Sequence, residues 1–414
     1  MMQLLRMPLL TPTTLGSSVS TELVSLSPHR YLIEMAGRTW AFFSDGVKTF
    51  YRTSEDGVEW SPPVVIASAI RGNDYSAFYD GLHFHHAYYY YEPYNRRHYL
   101  YYRMGTPNPD GSITWVAPQQ QVKYSVYCKP VILAVDSEGY PWIANAGLVT
   151  KSSRKDGGWA TQFDTVPVTG VVCSMMSVVP LTGGKMYIMF IWGSTLYGVP
   201  WDGSAFGAAD NLGICYTNYG YSVVSHGDII HLVHTRGYSD IIHRIRGLDG
   251  EWSEPAVIYP IDVYNHTTIT LDPWTSDLHC LWTNDPILRH VFYKRWAAAS
   301  GTWDAEPYDL IDESELGNPI WLTSHAYAER RRLGFIYRAG LGPPYEVRCA
   351  FMSPPGPQVP PGTPPGEPPG PPGPEPPEPP IPPTIPSLFR QAVLTLGPIA
   401  IGAIALTKTD SKVI

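Results

Sequence analysis

The sequence predicts an all-β fold: a single seven-bladed β-propeller, with six blades as the alternative. Three observations support this prediction. A turn motif recurs along the chain, short strand-like segments alternate with turn residues, and no convincing amphipathic helix interrupts them. We predict an N-terminal extension over residues 1–19, the propeller over 20–352, a proline-rich stalk over 353–386 and a hydrophobic tail over 387–414.

The recurring motif is a tight turn followed by an aromatic residue. Asp-Gly supplies the positive φ angles that a tight hairpin needs, and the aromatic side chain can fold back to pack between neighbouring sheets. The aromatic residues are Trp60, Trp115, Trp159, Phe206, Trp252 and Trp303. They are separated by 55, 44, 47, 46 and 51 residues. Periods of about 40 to 50 residues are typical of propeller blades.

The strand pattern predicts seven inner strands, one for each blade. They start near Tyr31, Tyr75, Pro130, Ser177, Tyr221, Thr268 and Ile320. The last segment, Ile320 to Met352, has room for only three strands before the prolines begin. We therefore expect an N-terminal strand around Thr21 to Ser27 to complete the last blade and close the ring, because closure removes exposed sheet edges.

The turn Ser54-x-Asp56-Gly57-x-x-Trp60, with its weaker echoes, resembles the Asp-box (BNR repeat) of sialidase-like propellers. The resemblance covers the whole propeller, but it is carried by structural turns and therefore indicates fold rather than chemistry.

A sialidase would use an arginine triad, a tyrosine nucleophile assisted by a glutamate, and an acid/base aspartate. Arg71 with Asp74, and Arg236 or Arg338, are the residues that this resemblance suggests for such roles. No Arg-Ile-Pro precedes the first inner strand, and no glutamate lies evidently beside a central tyrosine. We therefore assign no catalytic residue. An exo-glycosidase of sialidase type remains the alternative function.

The composition favours a partner bound by stacking and hydrogen bonding. Only 16% of the residues are charged and the formal net charge is −8, whereas binding to nucleic acid requires a basic surface. The propeller's polar surface must come from Tyr, Ser, Thr, Asn and Gly, which suit uncharged hydrogen-bonding partners. We expect no nucleic-acid partner.

The candidate ligand-binding residues precede the inner strands or connect second and third strands, because these two sets of loops share one face of a propeller. They are Arg71, Asp74, Tyr75, Lys129, Tyr219, Tyr221, Arg236, Tyr264, Asn265 and His266. Aromatic rings can stack on the C–H faces of a pyranose, while Asn, Asp and Arg pair with its hydroxyl groups. The competing interpretation is that many of these tyrosines fill the centre of the ring or pack between blades.

We expect no cofactor and no metal. The five cysteines are widely spaced and lack a C-x-x-C pair, which excludes a disulfide framework or a zinc site of the usual spacing, and small buried side chains explain them. His83 and His85 would share one face of a strand and could hold a metal, but the sequence identifies no further ligand.

The composition of the C-terminal region predicts that this region displays the propeller on a surface or mediates assembly. More than half of the residues from Pro354 to Pro386 are proline, a composition that favours an extended polyproline II spacer. Ala392 to Leu406 is almost entirely apolar but short for a membrane span, so membrane anchoring and self-association both remain open.

The function predicted from these features is a non-catalytic recognition head that binds a glycan or glycoprotein receptor. We expect it to be displayed as an adhesin or spike on a cell surface or virion, although no clear signal peptide is present. The second alternative function is a structural propeller subunit of a larger assembly.

Overall fold

The computed structural model shows a seven-bladed β-propeller, which confirms the predicted fold and excludes six blades. The structure describes residues 5–6, 11–20, 29–68, 74–92, 94, 97–125, 130–145, 148–159, 164–165, 175–215, 220–237, 240–260, 266–283, 290–312, 320–328 and 332–353. Every regular element in these ranges is a β-strand. Within them, no helix has the length and apolar character that crossing a membrane requires. The predicted stalk, apart from residue 353, and the predicted tail lie outside them.

Each blade is an antiparallel sheet whose strands we call A to D from the ring axis outward. The strands near the N-terminus are β1 (Leu5–Arg6) and β2 (Thr13–Ser18). Blades 1 to 3 contain β3 (Leu32–Met35), β4 (Arg38–Ser44), β5 (Thr49–Ser54) and β6 (Val64–Ala67), then β7 (Tyr75–Tyr79), β8 (Phe84–Glu92), β9 (Arg97–Pro107), β10 (Ile113–Trp115) and β11 (Gln120–Ser125), then β12 (Val131–Val135), β13 (Pro141–Asn145), β14 (Leu148–Arg154), β15 (Gly157–Trp159) and β16 (Asp164–Thr165).

The remaining four blades follow the same order. Blade 4 contains β17 (Met175–Pro180), β18 (Met186–Trp192), β19 (Thr195–Trp201) and β20 (Asp210–Ile214), and blade 5 contains β21 (Tyr221–His226), β22 (Ile229–Arg236), β23 (Asp240–Arg246) and β24 (Ala256–Pro260). Blade 6 contains β25 (Thr267–Leu271), β26 (Leu278–Thr283), β27 (His290–Ala297), β28 (Thr302–Trp303) and β29 (Tyr308–Asp312), and blade 7 contains β30 (Ile320–Ser324), β31 (Leu333–Ala339) and β32 (Tyr345–Met352). The seven A strands begin within three residues of the predicted starts.

The ring is closed by an N-terminal strand, as expected, but the strand is β2. It pairs with β32 from Thr13 opposite Cys349 to Ser18 opposite Tyr345, and so supplies strand D of blade 7. The segment predicted for this role, Thr21 to Ser27, lies outside the described residues. The closing strand therefore falls within residues 1–19, which the sequence analysis assigned to an extension. Farther upstream, β1 pairs in parallel with β29 of blade 6.

Four of the six aromatic residues of the recurring turns contact a ring of the preceding blade, as predicted, whereas the ring contacts of Trp115 and Phe206 lie within their own blades. Trp60 of blade 1 stacks on Phe351 of blade 7 with the ring centroids 6.5 Å apart. Trp252 of blade 5 donates its indole N–H to the Tyr187 hydroxyl of blade 4 at 3.0 Å. The turns therefore join neighbouring blades as well as strands C and D of one blade.

The turn before Trp60 has Asp-box geometry. The Asp56 carboxylate accepts the backbone N–H groups of Val58 and Glu59 at 2.8 and 2.9 Å, and the buried Ser54 hydroxyl accepts that of Gly57 at 2.8 Å. Gly57 has a φ of 79°, and a Cβ atom there would lie 2.8 Å from the Phe351 ring. This position thus requires glycine for its conformation and for the contact with blade 7.

Hydroxyl side chains join the A strands around the axis. Ser76 of blade 2 accepts the Leu133 N–H of blade 3 at 3.0 Å, and Ser222 of blade 5 accepts the Ile269 N–H of blade 6 at 3.1 Å. Each of these bonds satisfies a backbone group that is left without a partner at the inner edge of a sheet.

Arg30 crosses the axis from the start of blade 1. Its guanidinium donates to the hydroxyls of Ser222 at 3.1 Å and Thr268 at 3.0 Å, and to the Val223 carbonyl at 3.0 Å. Desolvation lowers the pKa of Arg30 to about 10, so the group remains charged at neutral pH. The centre of the ring is therefore stabilised by hydrogen bonds as well as by apolar packing.

Candidate functional site

The strand pairing assigns each connection to one of two faces. The connections from A to B and from C to D lie on one face, which we call the turn face. The connections from B to C, and from D to the next A strand, lie on the other, which we call the loop face. The candidate residues that the structure describes belong to the loop face, because each lies in a connection of this kind or beside it.

Five of the candidate residues lie outside the described residues, and their predicted roles stay predictions. They are Arg71, Lys129, Tyr219, Tyr264 and Asn265. The structure describes the other five: Asp74, Tyr75, Tyr221, Arg236 and His266.

Four of these five are buried. Asp74, Tyr75 and Tyr221 have no exposed surface, and His266 is 8% exposed. The Tyr75 ring packs against Tyr31 with the centroids 4.9 Å apart. Burial raises the pKa of Tyr75 well above its usual value, so the phenol is neutral. Neither Tyr75 nor Tyr221 presents a ring face to solvent, so both fit the competing interpretation of packing residues.

His266 and Arg236 differ in their access to solvent. His266 packs against Trp321 with the ring centroids 5.1 Å apart, and burial lowers its pKa to about 3, with a further contribution from Arg338. Arg236 lies at the end of β22, where its side chain is 48% exposed and forms an ion pair with Asp240. Of the described candidates, Arg236 is the one that a ligand on the loop face could contact directly.

Blade 2 projects farther from the loop face than its neighbour. In blade 2, Tyr75 at the start of strand A pairs with Tyr88, and β8 continues for four more residues to Glu92. In blade 3, Val131 at the corresponding position pairs with Asn145, the last residue of β13. At about 3.3 Å per residue, four residues extend the blade 2 hairpin by about 13 Å.

The projecting hairpin carries a set of tyrosines on one side, which we call the tyrosine platform: Tyr88, Tyr90, Tyr99 and Tyr101. Tyr88 pairs with Tyr101 and Tyr90 with Tyr99, so all four side chains share one face of the two-stranded ribbon. The Tyr99 and Tyr101 rings stack with centroids 5.9 Å apart, and those of Tyr88 and Tyr101 lie 5.4 Å apart.

The platform is buried at its base and partly exposed above. Tyr88 is 8% exposed and donates its hydroxyl to the Gln119 side chain at 2.7 Å, whereas the other three rings are half-buried. Burial, and then the neighbouring Tyr101, raise the pKa of Tyr88 to about 12. Burial, followed by Tyr99, Tyr90 and Glu92, raises the pKa of Tyr101. The four phenols are therefore a connected group, and sequence analysis missed it although the run Tyr88-Tyr89-Tyr90-Tyr91 was visible.

The opposite side of the hairpin faces blade 3. The Tyr89 hydroxyl contacts the His98 ring, and the Tyr91 ring lies 4.8 Å from it between centroids. Tyr94, near the tip of the hairpin, is 97% exposed. Aromatic side chains therefore occur on both sides of the hairpin and near its tip.

The histidines proposed as metal ligands have structural partners. His85 is buried between the Tyr102 hydroxyl at 2.7 Å and the Asp80 carboxylate at 3.0 Å. His83 lies 3.8 Å from the same carboxylate. Among the described residues, no group of three or more His, Cys, Asp or Glu side chains is arranged to hold a metal ion. Cys215, Cys280 and Cys349 are buried free thiols, which confirms for these three the interpretation as small buried side chains.

Comparisons with known proteins show the fold and do not define a family. No protein-family model and no curated protein matches this sequence. The lectin BP39L from Burkholderia pseudomallei is similar in structure, with a TM-score of 0.58, 9% identity, and coverage of 80% of this chain and 96% of the lectin. An ulvan lyase of polysaccharide lyase family PL25 has a TM-score of 0.57 and 9% identity, with coverage of 80% and 93%.

A third similar structure, the endosialidase of phage phi92, has a TM-score of 0.48 and 11% identity, with coverage of 83% of this chain and 69% of the endosialidase. At identities this low, structural similarity shows the fold alone. The chain is thus a seven-bladed propeller whose resemblance to sialidase-like propellers is one of fold.

Proposed function

We propose that this protein is a non-catalytic carbohydrate-recognition propeller. The observation that carries the proposal is the chemistry of the loop face, where exposed aromatic side chains occur together with hydrogen-bonding groups. Tyr94 is 97% and Trp192 is 42% exposed, and both lie in B-to-C connections, as does the end of β22 with Arg236. Aromatic rings combined with polar groups are suited to the alternating C–H and hydroxyl surfaces of sugars.

The structural similarities support the same class of ligand. Two of the similar propellers are a lectin and a polysaccharide lyase. We carry over only the ligand class, because identities of 9% do not transfer residue roles.

The proposal assigns no catalytic residue. Arg236, one of the arginines considered for a sialidase-like triad, is ion-paired with Asp240, and Asp74 is fully buried. Neither arrangement favours the exo-glycosidase alternative.

We further propose that residues 353–386 act as a spacer that displays the propeller as an adhesin or spike on a cell or virion surface. Support comes from the proline-rich composition, which favours extended polyproline II. Ala392 to Leu406 would provide attachment, either to a membrane or by self-association.

The test is a glycan-array screen of the full-length chain, labelled at an added N-terminal tag. We expect selective binding to a small group of glycans, and competition by the same glycans free in solution. A blank array from protein that elutes as a folded species would contradict the proposal and favour a protein partner. Incubation of each bound glycan with the protein, followed by mass spectrometry, should show no cleavage product.

A further inference from the structure

The tyrosine platform extends past the end of the neighbouring blade. Phe42 of β4 stacks on Phe84 of β8 with the ring centroids 5.2 Å apart and an interplanar angle of 4°. These two residues therefore lie at the same height along the ring axis, and the strand lengths of blades 1 and 2 can be compared from them. From this contact β4 continues only two residues, to Ser44, whereas β8 continues eight residues, to Glu92. Tyr90 and its partner Tyr99 therefore lie beyond the strands of blade 1, which cover the base of the platform.

The burial of the four rings follows this geometry. Tyr88 is 8% exposed, and Tyr90 and Tyr101 pack partly against the core cluster that contains Phe42 and Phe84. Tyr99 is half-buried and does not belong to that cluster. The platform thus grades from a core residue at its base to an accessible ring at its top. Packing of the hydrophobic core explains the base but does not require aromatic residues at the top.

The described charged residues at the accessible end of the platform are one oppositely charged pair. Glu92 and Arg97 lie directly opposite on β8 and β9, one step beyond the Tyr90–Tyr99 pair. Opposite charges at such positions attract each other across the strands. Among the described residues, the accessible end of the platform therefore combines phenol rings and their hydroxyl groups with an oppositely charged pair, whereas the charge of Arg103 lies at the base, over the Trp115 ring.

We propose that the tyrosine platform is a carbohydrate subsite that stacks an uncharged pyranose on Tyr99, with Tyr90 beside it. This inference rests on the proposed function and adds to it a location and a ligand class. The C–H face of a pyranose is attracted to the negative face of a phenol ring, and the neighbouring phenol hydroxyls can exchange hydrogen bonds with the sugar's hydroxyl groups. Little conformational entropy is lost on binding, because the rings are already held by their stacking.

The experiment compares full-length variants on the glycans to which the wild type binds, using titration calorimetry. Tyr99→Ala should weaken binding on the order of tenfold, whereas Tyr99→Phe, which keeps the ring, should bind nearly as well as the wild type. Tyr90→Ala should also weaken binding. Trp274→Ala is the matched control, since Trp274 is an 80% exposed aromatic residue in an A-to-B turn on the opposite face.

The outcomes separate this inference from the proposed function. If the wild type binds glycans and both alanine variants bind them equally well, the platform is not the subsite, although the protein is still a lectin. Binding restricted to anionic sugars would overturn the assignment of an uncharged ligand. A wild type that binds no glycan contradicts the proposed function and this inference together. Thermal unfolding of each variant excludes misfolding as the cause, and Tyr99→Leu, which retains apolar volume without a ring, provides a second test.

Discussion

Blade 7 and blade 2 differ in how they are assembled and in what they can do. Blade 7 takes its outer strand from the other end of the chain, since β2 pairs with β32. Blade 2 is built from consecutive residues, and its central hairpin extends four residues beyond the level of strand A. The comparison indicates that the elements that hold the ring together are distinct from the element that projects from it.

The consequences for stability follow from the contacts. Leu15 of β2 is 2% exposed and belongs to the largest core cluster, and the Arg52 guanidinium donates to its carbonyl at 2.7 Å. In blade 2, by contrast, the residues beyond Tyr90 at the hairpin tip are half-exposed or exposed where the structure describes them. Loss of β2 should therefore affect the whole propeller, and loss of the hairpin tip should remain local.

The largest effect is expected from deletion of residues 1–18. The deletion removes strand D of blade 7 and exposes the backbone edge of β32, so we expect a loss on the order of 5 kcal/mol in unfolding free energy and association through the open edge. Urea unfolding followed by tryptophan fluorescence, together with size-exclusion chromatography, measures both effects. Ser17→Ala, an exposed position of the same strand, should leave stability unchanged. A deletion variant as stable as the wild type would show that β2 does not close the ring.

Acid should weaken the packing of blade 7 against blade 1. His325 lies in the seam between blade 7 and blade 1, where its Nε2 is 3.7 Å from the Glu34 carboxylate. Burial, and then Arg30, lower the pKa of His325 to about 3, compared with 6.5 for an ordinary histidine. Between these values the unfolded chain binds the extra proton, so the stability from this group is complete above pH 6.5 and decreases as the pH falls towards 3.

The corresponding experiment measures unfolding free energy from pH 7 to pH 4 for the wild type and His325→Phe. The wild type should lose stability as the pH falls, and the variant should lose on the order of 2 kcal/mol less over the same interval. Replacement of the exposed His226 by Asn controls for a general effect of removing a histidine. Equal slopes for His325→Phe and the wild type would rule out this contribution.

The smallest effect is expected from shortening the blade 2 hairpin. Replacement of residues 91–98 by Asn-Gly leaves Tyr90 and Tyr99 on either side of a two-residue turn, which suits that sequence. The change removes the Tyr89–His98 contact, so we expect a loss of about 1 kcal/mol in urea unfolding. A loss as large as that of the β2 deletion would mean that the projecting hairpin belongs to the stabilising framework after all.

The sequence was informative where structure depends on local residues. Asp56 and Gly57 produce their turn through local contacts, because the carboxylate accepts nearby N–H groups and glycine adopts positive φ. Repetition of such turns at the blade period predicted a propeller, and the count of inner-strand starts predicted seven blades, with six as the alternative. The A strands were also predicted to begin within three residues of their observed starts, since short apolar segments between turn residues mark them directly.

The candidate site was less predictable for the same reason. Tyr75 and Tyr221 resemble any loop-face tyrosine in sequence, and only packing against neighbouring blades buries them completely. Conversely, the platform forms because Tyr90 pairs with Tyr99, and its upper part is accessible because β4 of blade 1 ends at Ser44. Neither relation is visible within a single segment of sequence.

The sequence by itself determined the all-β class and the turn chemistry, because these depend on residues close together in the chain, and it predicted seven blades with six as the alternative. The tertiary structure decided which N-terminal segment closes the ring, which tyrosines are buried and which hairpin projects beyond its neighbours. The physical reason is that strand pairing and burial between blades involve residues distant in the chain, from the contact of Tyr31 with Tyr75 to the pairing of Thr13 with Cys349.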